Sequence, residues 1–128
     1  MVRTVILAML RKPVAQGLIE KLADDSAIRA VYESDYSKAE DAIRSCNADA
    51  ALIEITETEK YNVSYCLALC LQLRETIPSC KLMLLCPEHD DEAISSAVRA
   101  KQRGDIEDFL FYDSSLDYLT SKLISVGA

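Results

Sequence analysis

Short apolar runs alternate with amphipathic segments along the whole chain. Four runs, at residues 5–10, 51–55, 81–86 and 108–112, are mostly apolar, and a fifth, at residues 28–33, mixes apolar and polar positions. Runs of this length bounded by turn residues are typical of β-strands, and the mixed run is typical of a half-exposed one. The pattern therefore predicts five strands.

The segments between these runs repeat their apolar residues at helical spacing. They predict five helices, at about residues 12–22, 37–46, 63–77, 92–103 and 114–124. Pro13 suits the first turn of the first helix, where its missing N–H costs nothing. Ser37 and Glu40 form an S-x-x-E capping box that predicts the start of the second helix, and Ser114 with Asp117 predicts the start of the last.

Alternating strands and helices predict an α/β fold, a three-layer α/β/α sandwich on a doubly wound parallel (βα)5 sheet. The first, third and fourth strands are nearly all apolar and are expected at the centre, while the mixed second strand is expected at an edge. This gives the strand order 2-1-3-4-5 with right-handed crossovers. All 128 residues are expected to form a single domain, 1–128.

The scarce residue types narrow the chemistry. Three glycines, at Gly17, Gly104 and Gly127, leave no place for a phosphate-cradling G-x-G-x-x-G or P-loop motif. The one histidine, His89, lies in a polar turn and excludes metal sites that need two. With a net charge of −7 and no basic face, direct binding to nucleic acid or to an anionic membrane is not expected.

Hydropathy indicates where in the cell the chain is found, and the cysteine pattern indicates what its thiols do. No apolar run approaches the roughly 20 residues of a membrane-spanning helix, and the N-terminal run lacks the cleavage site of a signal peptide. A cytoplasmic location is therefore expected. The five cysteines include no C-x-x-C motif, so packing in the core is the first interpretation. A thiol sensor using Cys66 with Cys70, or Cys80 with Cys86, stays open as an alternative.

Two segments at predicted strand ends carry a family resemblance. The segment DAALIE covers residues 49–54 and the segment DFLFY covers residues 108–112. They are similar to the third strand, D-x-x-L-x-D, and the fifth strand, D-Y/F-L-x-K, of the receiver domain of two-component response regulators. The resemblance extends over the whole chain, and it implies the CheY-like, flavodoxin-like fold and a role in signalling or transcription regulation.

The same resemblance implies a pocket in which the residues for Mg²⁺ binding and phosphorylation are replaced. In the family, acids that hold Mg²⁺ follow strand one, a phospho-acceptor Asp ends strand three, and a hydroxyl residue and a Lys end strands four and five. The positions that match them here are Met9, Leu10, Arg11, Glu54, Cys86 and Tyr112. Apolar side chains cannot ligate Mg²⁺, and a tyrosine is uncharged at neutral pH. We therefore expect a degenerate pseudo-receiver without enzymatic activity, metal or cofactor.

Glu54 has two interpretations that the sequence leaves open. It can act as a built-in phospho-mimic that directs negative charge toward strand four, or it can be a polar residue that water reaches at a strand end. Arg11 and Lys12 are the candidate partners for its charge.

If the pocket is inactive, function is expected at surfaces. The resemblance implies a switch aromatic at Phe109 and a partner face formed by helix four, strand five and helix five. That face would comprise Ile94, Val98, Lys101, Phe111, Tyr112 and Tyr118. Periodicity also allows Ile94 and Val98 to be core residues. The third helix, apolar on several sides, is either a dimer contact or deeply buried.

The expected partner is another protein or a second copy of the chain, with an effector domain attached or separate. A small-ligand-binding domain of the flavodoxin-like class is the alternative that would use the same crevice. A flavin phosphate would need a Ser/Thr/Gly-rich loop after strand one, where Arg11, Lys12 and Pro13 stand, and the D-x-H-x-x-G motif of cobalamin binding is absent.

Overall fold

Five parallel strands alternate with five helices in the computed structural model, which describes residues 2–25, 27–57, 60–112 and 114–126. The strands are β1 (Arg3–Ala8), β2 (Ile28–Glu33), β3 (Ala50–Glu54), β4 (Lys81–Cys86) and β5 (Asp108–Phe111). The helices are α1 (Lys12–Leu22), α2 (Ala39–Cys46), α3 (Val63–Thr76), α4 (Asp91–Arg103) and α5 (Leu116–Val126). A 3₁₀ turn, Tyr36–Lys38, precedes α2.

The sheet has the order β2-β1-β3-β4-β5, and all of its pairs are parallel. The predicted fold class and strand order are thus confirmed. Strand β2 lies at an edge because its polar positions can face water, whereas nearly every residue of β1, β3 and β4 is buried. The one-residue alternation of side chains across the sheet produces two apolar cores. One packs under α2, α3 and α4, and the other under α1 and α5.

Strand β1 begins and ends two residues earlier than the apolar run predicts. Arg3 already belongs to it, since its N–H donates to the carbonyl of Ala27 at 2.9 Å. The strand ends at Ala8, which is paired with Glu33, the last residue of β2. β2 thus ends level with β1, and the residues after Ala8 lead into α1.

The predicted capping box at Ser37 and Glu40 is not formed. The carboxylate of Asp35 accepts the N–H of Ser37 at 3.0 Å and starts the 3₁₀ turn, and α2 begins only at Ala39. Glu40 instead accepts hydrogen bonds from two side chains of α3. A tertiary contact between helices has thus replaced the local cap.

The last helix is capped one residue later than predicted. The hydroxyl of Ser115, rather than that of Ser114, accepts the N–H of Tyr118 at 3.1 Å. Pro13 does lie in the first turn of α1, as predicted. Within the described ranges, no helix combines the length and the apolar character needed to cross a membrane.

Candidate functional site

A cavity of about 350 Å³ opens at the carboxyl edge of the sheet, where β1, β3 and β5 end. Doubly wound sheets place their sites at this edge, next to the point where the strand order reverses. Four of the six predicted pocket residues line it, together with two that the prediction did not include. The lining residues are Leu10, Arg11, Glu54, Thr56, Glu57 and Tyr112.

Glu54, the last residue of β3, is fully buried and holds the site together. Its Oε1 accepts the backbone N–H of Leu10 at 2.7 Å and that of Arg11 at 3.1 Å. These residues precede α1, where backbone donors lack helical partners. The loop after β1 therefore offers N–H donors to the carboxylate. The partners lie on the β1–α1 loop and not on the strand-four side that the phospho-mimic interpretation addresses.

Arg11 is the cation of the site. Its Nε lies 3.6 Å from Glu54 Oε2, and its guanidinium lies 4.2 Å from the centroid of the Tyr112 ring. The side chain is 45% exposed, so one face of the guanidinium keeps its water. Arg11 thus combines an ion pair with a cation–π contact. Arg11 is one of the two candidate partners that the sequence predicts for Glu54, and the structure brings the two side chains together.

Tyr112 supplies a neutral wall rather than a charge. Its hydroxyl donates a hydrogen bond to the carbonyl oxygen of Ile55. Burial raises the pKa of Tyr112, and the negative charge of Glu54 raises it further. The phenol therefore stays protonated throughout the physiological range.

Met9 and Cys86 lie in the cores instead of on the cavity wall. Met9 continues the alternation of Val5 and Leu7 and is buried with them under α1 and α5. Cys86 continues the alternation of Leu84 and is buried on the other face. Their positions follow from strand periodicity, which sends Leu10 rather than Met9 to the cavity.

Thr56 and Glu57 were missed because they belong to a polar loop with no periodic pattern. The loop closes on itself: the N–H and Oγ1 of Thr56 both donate to the carbonyl of Tyr61, at 2.9 and 3.1 Å. Tyr61 in turn stacks on Tyr36 with ring centroids 3.8 Å apart. These contacts fix the loop so that Glu57 faces the cavity.

Among the described residues, the charges at the cavity wall are two carboxylates, of Glu54 and Glu57, and one guanidinium, of Arg11. In the part of the chain that the structure describes, no three His, Cys, Asp or Glu side chains come close enough together to hold a metal ion. The arrangement suits a hydrogen-bond donor or a monovalent cation better than a Mg²⁺ ion, which needs several well-placed oxygen ligands.

The fold can be compared with those of known proteins. A response regulator from Thermotoga maritima is 20% identical, with a TM-score of 0.79 over 99% of this chain and 98% of its own. An orphan response regulator of H. pylori is 13% identical, with a TM-score of 0.79 over 98% of this chain and 97% of its own. The CheY-like protein tadZ from Pseudomonas aeruginosa is 17% identical, with a TM-score of 0.72 over 98% of this chain and 99% of its own.

The fold is that of a response-regulator receiver domain. Near-complete coverage in both directions supports this, and it agrees with the resemblance that the strand segments carry. No protein-family model matches the sequence, and no curated protein does either. At identities this low the likeness concerns the fold alone.

Helices α4 and α5 both contact the edge strand β5, since a lysine of each bonds the carboxylate of Asp108. Helix α4 buries only small residues, at Ala93, Ser96, Ala97 and Ala100. Ile94 and Val98 are half-buried and do not belong to the residues packed on either core. They are therefore not core residues, which periodicity alone had left undecided.

The rest of the predicted partner face is partly exposed. Tyr118 is 48% exposed, and Phe111 is half-buried. Phe109, the predicted switch aromatic, is also half-buried and packs edge to face against Phe111, with centroids 5.8 Å apart. Lys101 on α4 and a second lysine on α5 both bond the carboxylate of Asp108.

Helix α3 buries a single stripe. The buried residues are Val63, Cys66, Leu69, Cys70 and Leu73. Leu67 packs at the margin of the core, and Leu71 is 50% exposed. Apolar residues on several sides of α3 therefore reflect one buried stripe with a partly exposed border.

Four of the five cysteines are buried, and burial raises the pKa of their thiols. It raises the pKa of Cys70, Cys80 and Cys86 to about 12 and also raises the pKa of Cys66. Thiolates are the reactive form, and at neutral pH these cysteines are protonated core residues. Within the described residues, the two pairs left open as a thiol sensor therefore lack the lowered pKa that a reactive thiol needs.

Proposed function

We propose that this chain is a non-catalytic receiver domain, which acts by binding a protein and does not undergo Mg²⁺-dependent phosphorylation. One observation carries the proposal: the carboxylate of Glu54 is bound by the N–H groups of Leu10 and Arg11. These are positions where the family pattern has metal-binding acids. Here they donate hydrogen bonds to the acceptor position.

The chemistry of phosphoryl transfer supports the same conclusion. A phosphoryl group carries charge on its oxygens that a metal and a fixed cation must offset. Glu54 Oε1 already has two donors, so a phosphoryl group attached there would displace both. Arg11 is the one cation that the described residues place on the cavity wall, and it is held by Glu54 and the Tyr112 ring.

Treatment with acetyl phosphate and Mg²⁺ tests the proposal. We expect the intact mass of the chain to stay unchanged, and beryllofluoride with Mg²⁺ to leave its amide spectrum unchanged. A receiver domain that carries the acid pair, treated in parallel, serves as the positive control. A mass gain of one phosphoryl group that is lost in Glu54→Gln would overturn the proposal.

The output surface under this proposal is the face of α4, β5 and α5. Its support is the position of Ile94, Val98 and Tyr118, apolar or aromatic side chains that the two cores leave partly exposed. Contiguous exposed apolar surface rimmed by charge is typical of protein-binding sites. The partner is a second copy or another protein, and the effector that it controls is attached to the chain or separate from it.

A further inference from the structure

The second carboxylate oxygen of Glu54 lacks a hydrogen bond. Oε2 is shielded from solvent and accepts none from any residue that the structure describes. The Nε of Arg11, at 3.6 Å, is beyond hydrogen-bonding distance. The hydroxyl of Tyr112 also lies close enough to the Glu54 carboxylate to interact with it, but its single proton is donated to the carbonyl of Ile55. A buried carboxylate oxygen without a donor is costly, and a bound donor would remove that cost.

The cavity beside this oxygen has acidic and apolar walls. Glu57 adds a second carboxylate, while Leu10, which is 41% exposed, and the ring of Tyr112 add apolar surface. The cavity of about 350 Å³ is far larger than the roughly 30 Å³ that one water occupies. It therefore has room for a group of several heavy atoms.

We propose that this cavity binds an alkylammonium group, with the ammonium between Glu54 Oε2 and Glu57 and the alkyl stem against Leu10 and Tyr112. A primary ammonium carries three donors and no acceptor, and its methylene stem packs well on apolar surface. A free amine and a lysine side chain of a partner protein present the same group. The site does not depend on the proposed signalling function, and each can fail without the other.

Arg11 is the internal competitor for this position. Its guanidinium lies against the Tyr112 ring and is the cation nearest to Glu54 Oε2. Because the side chain is 45% exposed, it can rotate into water and give up its contact with the Tyr112 ring. An incoming ammonium reaches Oε2 by displacing Arg11, so removal of the Arg11 side chain is expected to tighten binding.

Titration with n-butylammonium chloride tests the site on the full chain labelled with ¹⁵N, with KCl added to keep the ionic strength constant. We expect saturable shifts of the Leu10 and Arg11 amides, since both bond Glu54. The substitution Glu54→Gln is expected to weaken binding at least about ten-fold, as a charge-assisted hydrogen bond is lost. Arg11→Ala is expected to tighten it several-fold.

Matched variants separate the site from general charge effects. Glu57→Gln is expected to weaken binding several-fold, whereas Glu92→Gln, at an exposed position of α4, should bind as the wild type does. Unchanged amide shifts away from the cavity show that each variant is folded. Shifts that rise linearly and equally with KCl, or an Arg11→Ala variant with unchanged affinity, would overturn the proposal.

A second ligand identifies the source of the ammonium. If Nα-acetyl-lysine amide binds more tightly than n-butylammonium, the site recognises a lysine of a partner protein. If n-butylammonium binds as tightly or more tightly, the site recognises a free amine. Either result supports the proposed chemistry. If neither ligand binds, the proposal is refuted.

Discussion

At the scale of single residues, Glu54 is the point on which the site depends. Its carboxylate satisfies two backbone donors that would otherwise be buried near the start of α1. It also anchors the Arg11 side chain, and through it the contact with Tyr112. When a buried charged acceptor is removed, its donors are left without partners. The resulting loss in the free energy of unfolding exceeds the net contribution of the hydrogen bonds themselves.

Glu54→Ala is therefore expected to lower the free energy of unfolding by about 2–4 kcal/mol. Glu54→Gln keeps one carbonyl acceptor of similar size, so its loss is expected to be about half as large. Urea denaturation of the purified variants measures both values. Glu57→Ala, an exposed residue on the same cavity, should change stability by less than about 0.5 kcal/mol. An equal effect of Glu54→Ala and Glu57→Ala would contradict the anchoring role.

At the scale of elements, Asp108 joins three of them. This residue of β5 accepts hydrogen bonds from Lys101 of α4 at 3.0 Å and from Lys122 of α5 at 3.3 Å. Partial burial raises the pKa of Asp108, but these two lysines and the N–H of Phe109 outweigh it, so the pKa is lowered. The carboxylate thus braces the face that we propose for partner binding.

The lowered pKa of Asp108 in the folded state determines how the free energy of unfolding changes with pH. The stabilisation by Asp108 is complete above the ordinary carboxyl pKa of about 4 and is lost as the pH falls through the lower folded value. Asp108→Asn should therefore lower stability by about 1 kcal/mol at pH 7 and by less at pH 3. Thermal unfolding at the two pH values measures the difference. A loss that is the same at pH 3 and pH 7 would contradict this account.

Element order, sheet position and the ends of β2 and β4 followed from the sequence, but the ends of β1 and two helix caps did not. The mixed composition of β2 predicted an edge strand because an edge tolerates polar side chains. The capping box at Ser37 failed because Glu40 bonds α3, which a local motif cannot reveal. Thr56 and Glu57 reach the cavity through the fold of a loop around Tyr61. Local sequence patterns do not reveal contacts of this kind, because the residues involved are distant in sequence or belong to a loop without periodic hydropathy.

At the scale of the whole molecule, the net charge of −7 affects how tightly the chain binds other proteins and how that affinity changes with salt. Two copies of the chain repel one another, and salt screens that repulsion. A partner with a basic face is attracted instead, and salt weakens that attraction. The partner face itself carries both signs, since the lysines at positions 101 and 122 lie beside Asp108. It can therefore meet a second copy of itself without unpaired charge.

We expect the chain to form a dimer through α4, β5 and α5 that tightens as salt rises from 50 to 300 mM, because its like net charges are screened over a Debye length of about 10 Å near 0.1 M. Val98→Arg and Tyr118→Arg place a charge on the partly exposed apolar surface and should each weaken the dimer at least about ten-fold. Ser45→Arg adds the same charge at an exposed position of α2, away from this face, and should have little effect. Sedimentation equilibrium measures all four proteins. If the chain stays monomeric at every salt concentration, the dimer is excluded and the partner is a different protein. If the association weakens with salt, opposite charges drive it and the screening argument is wrong.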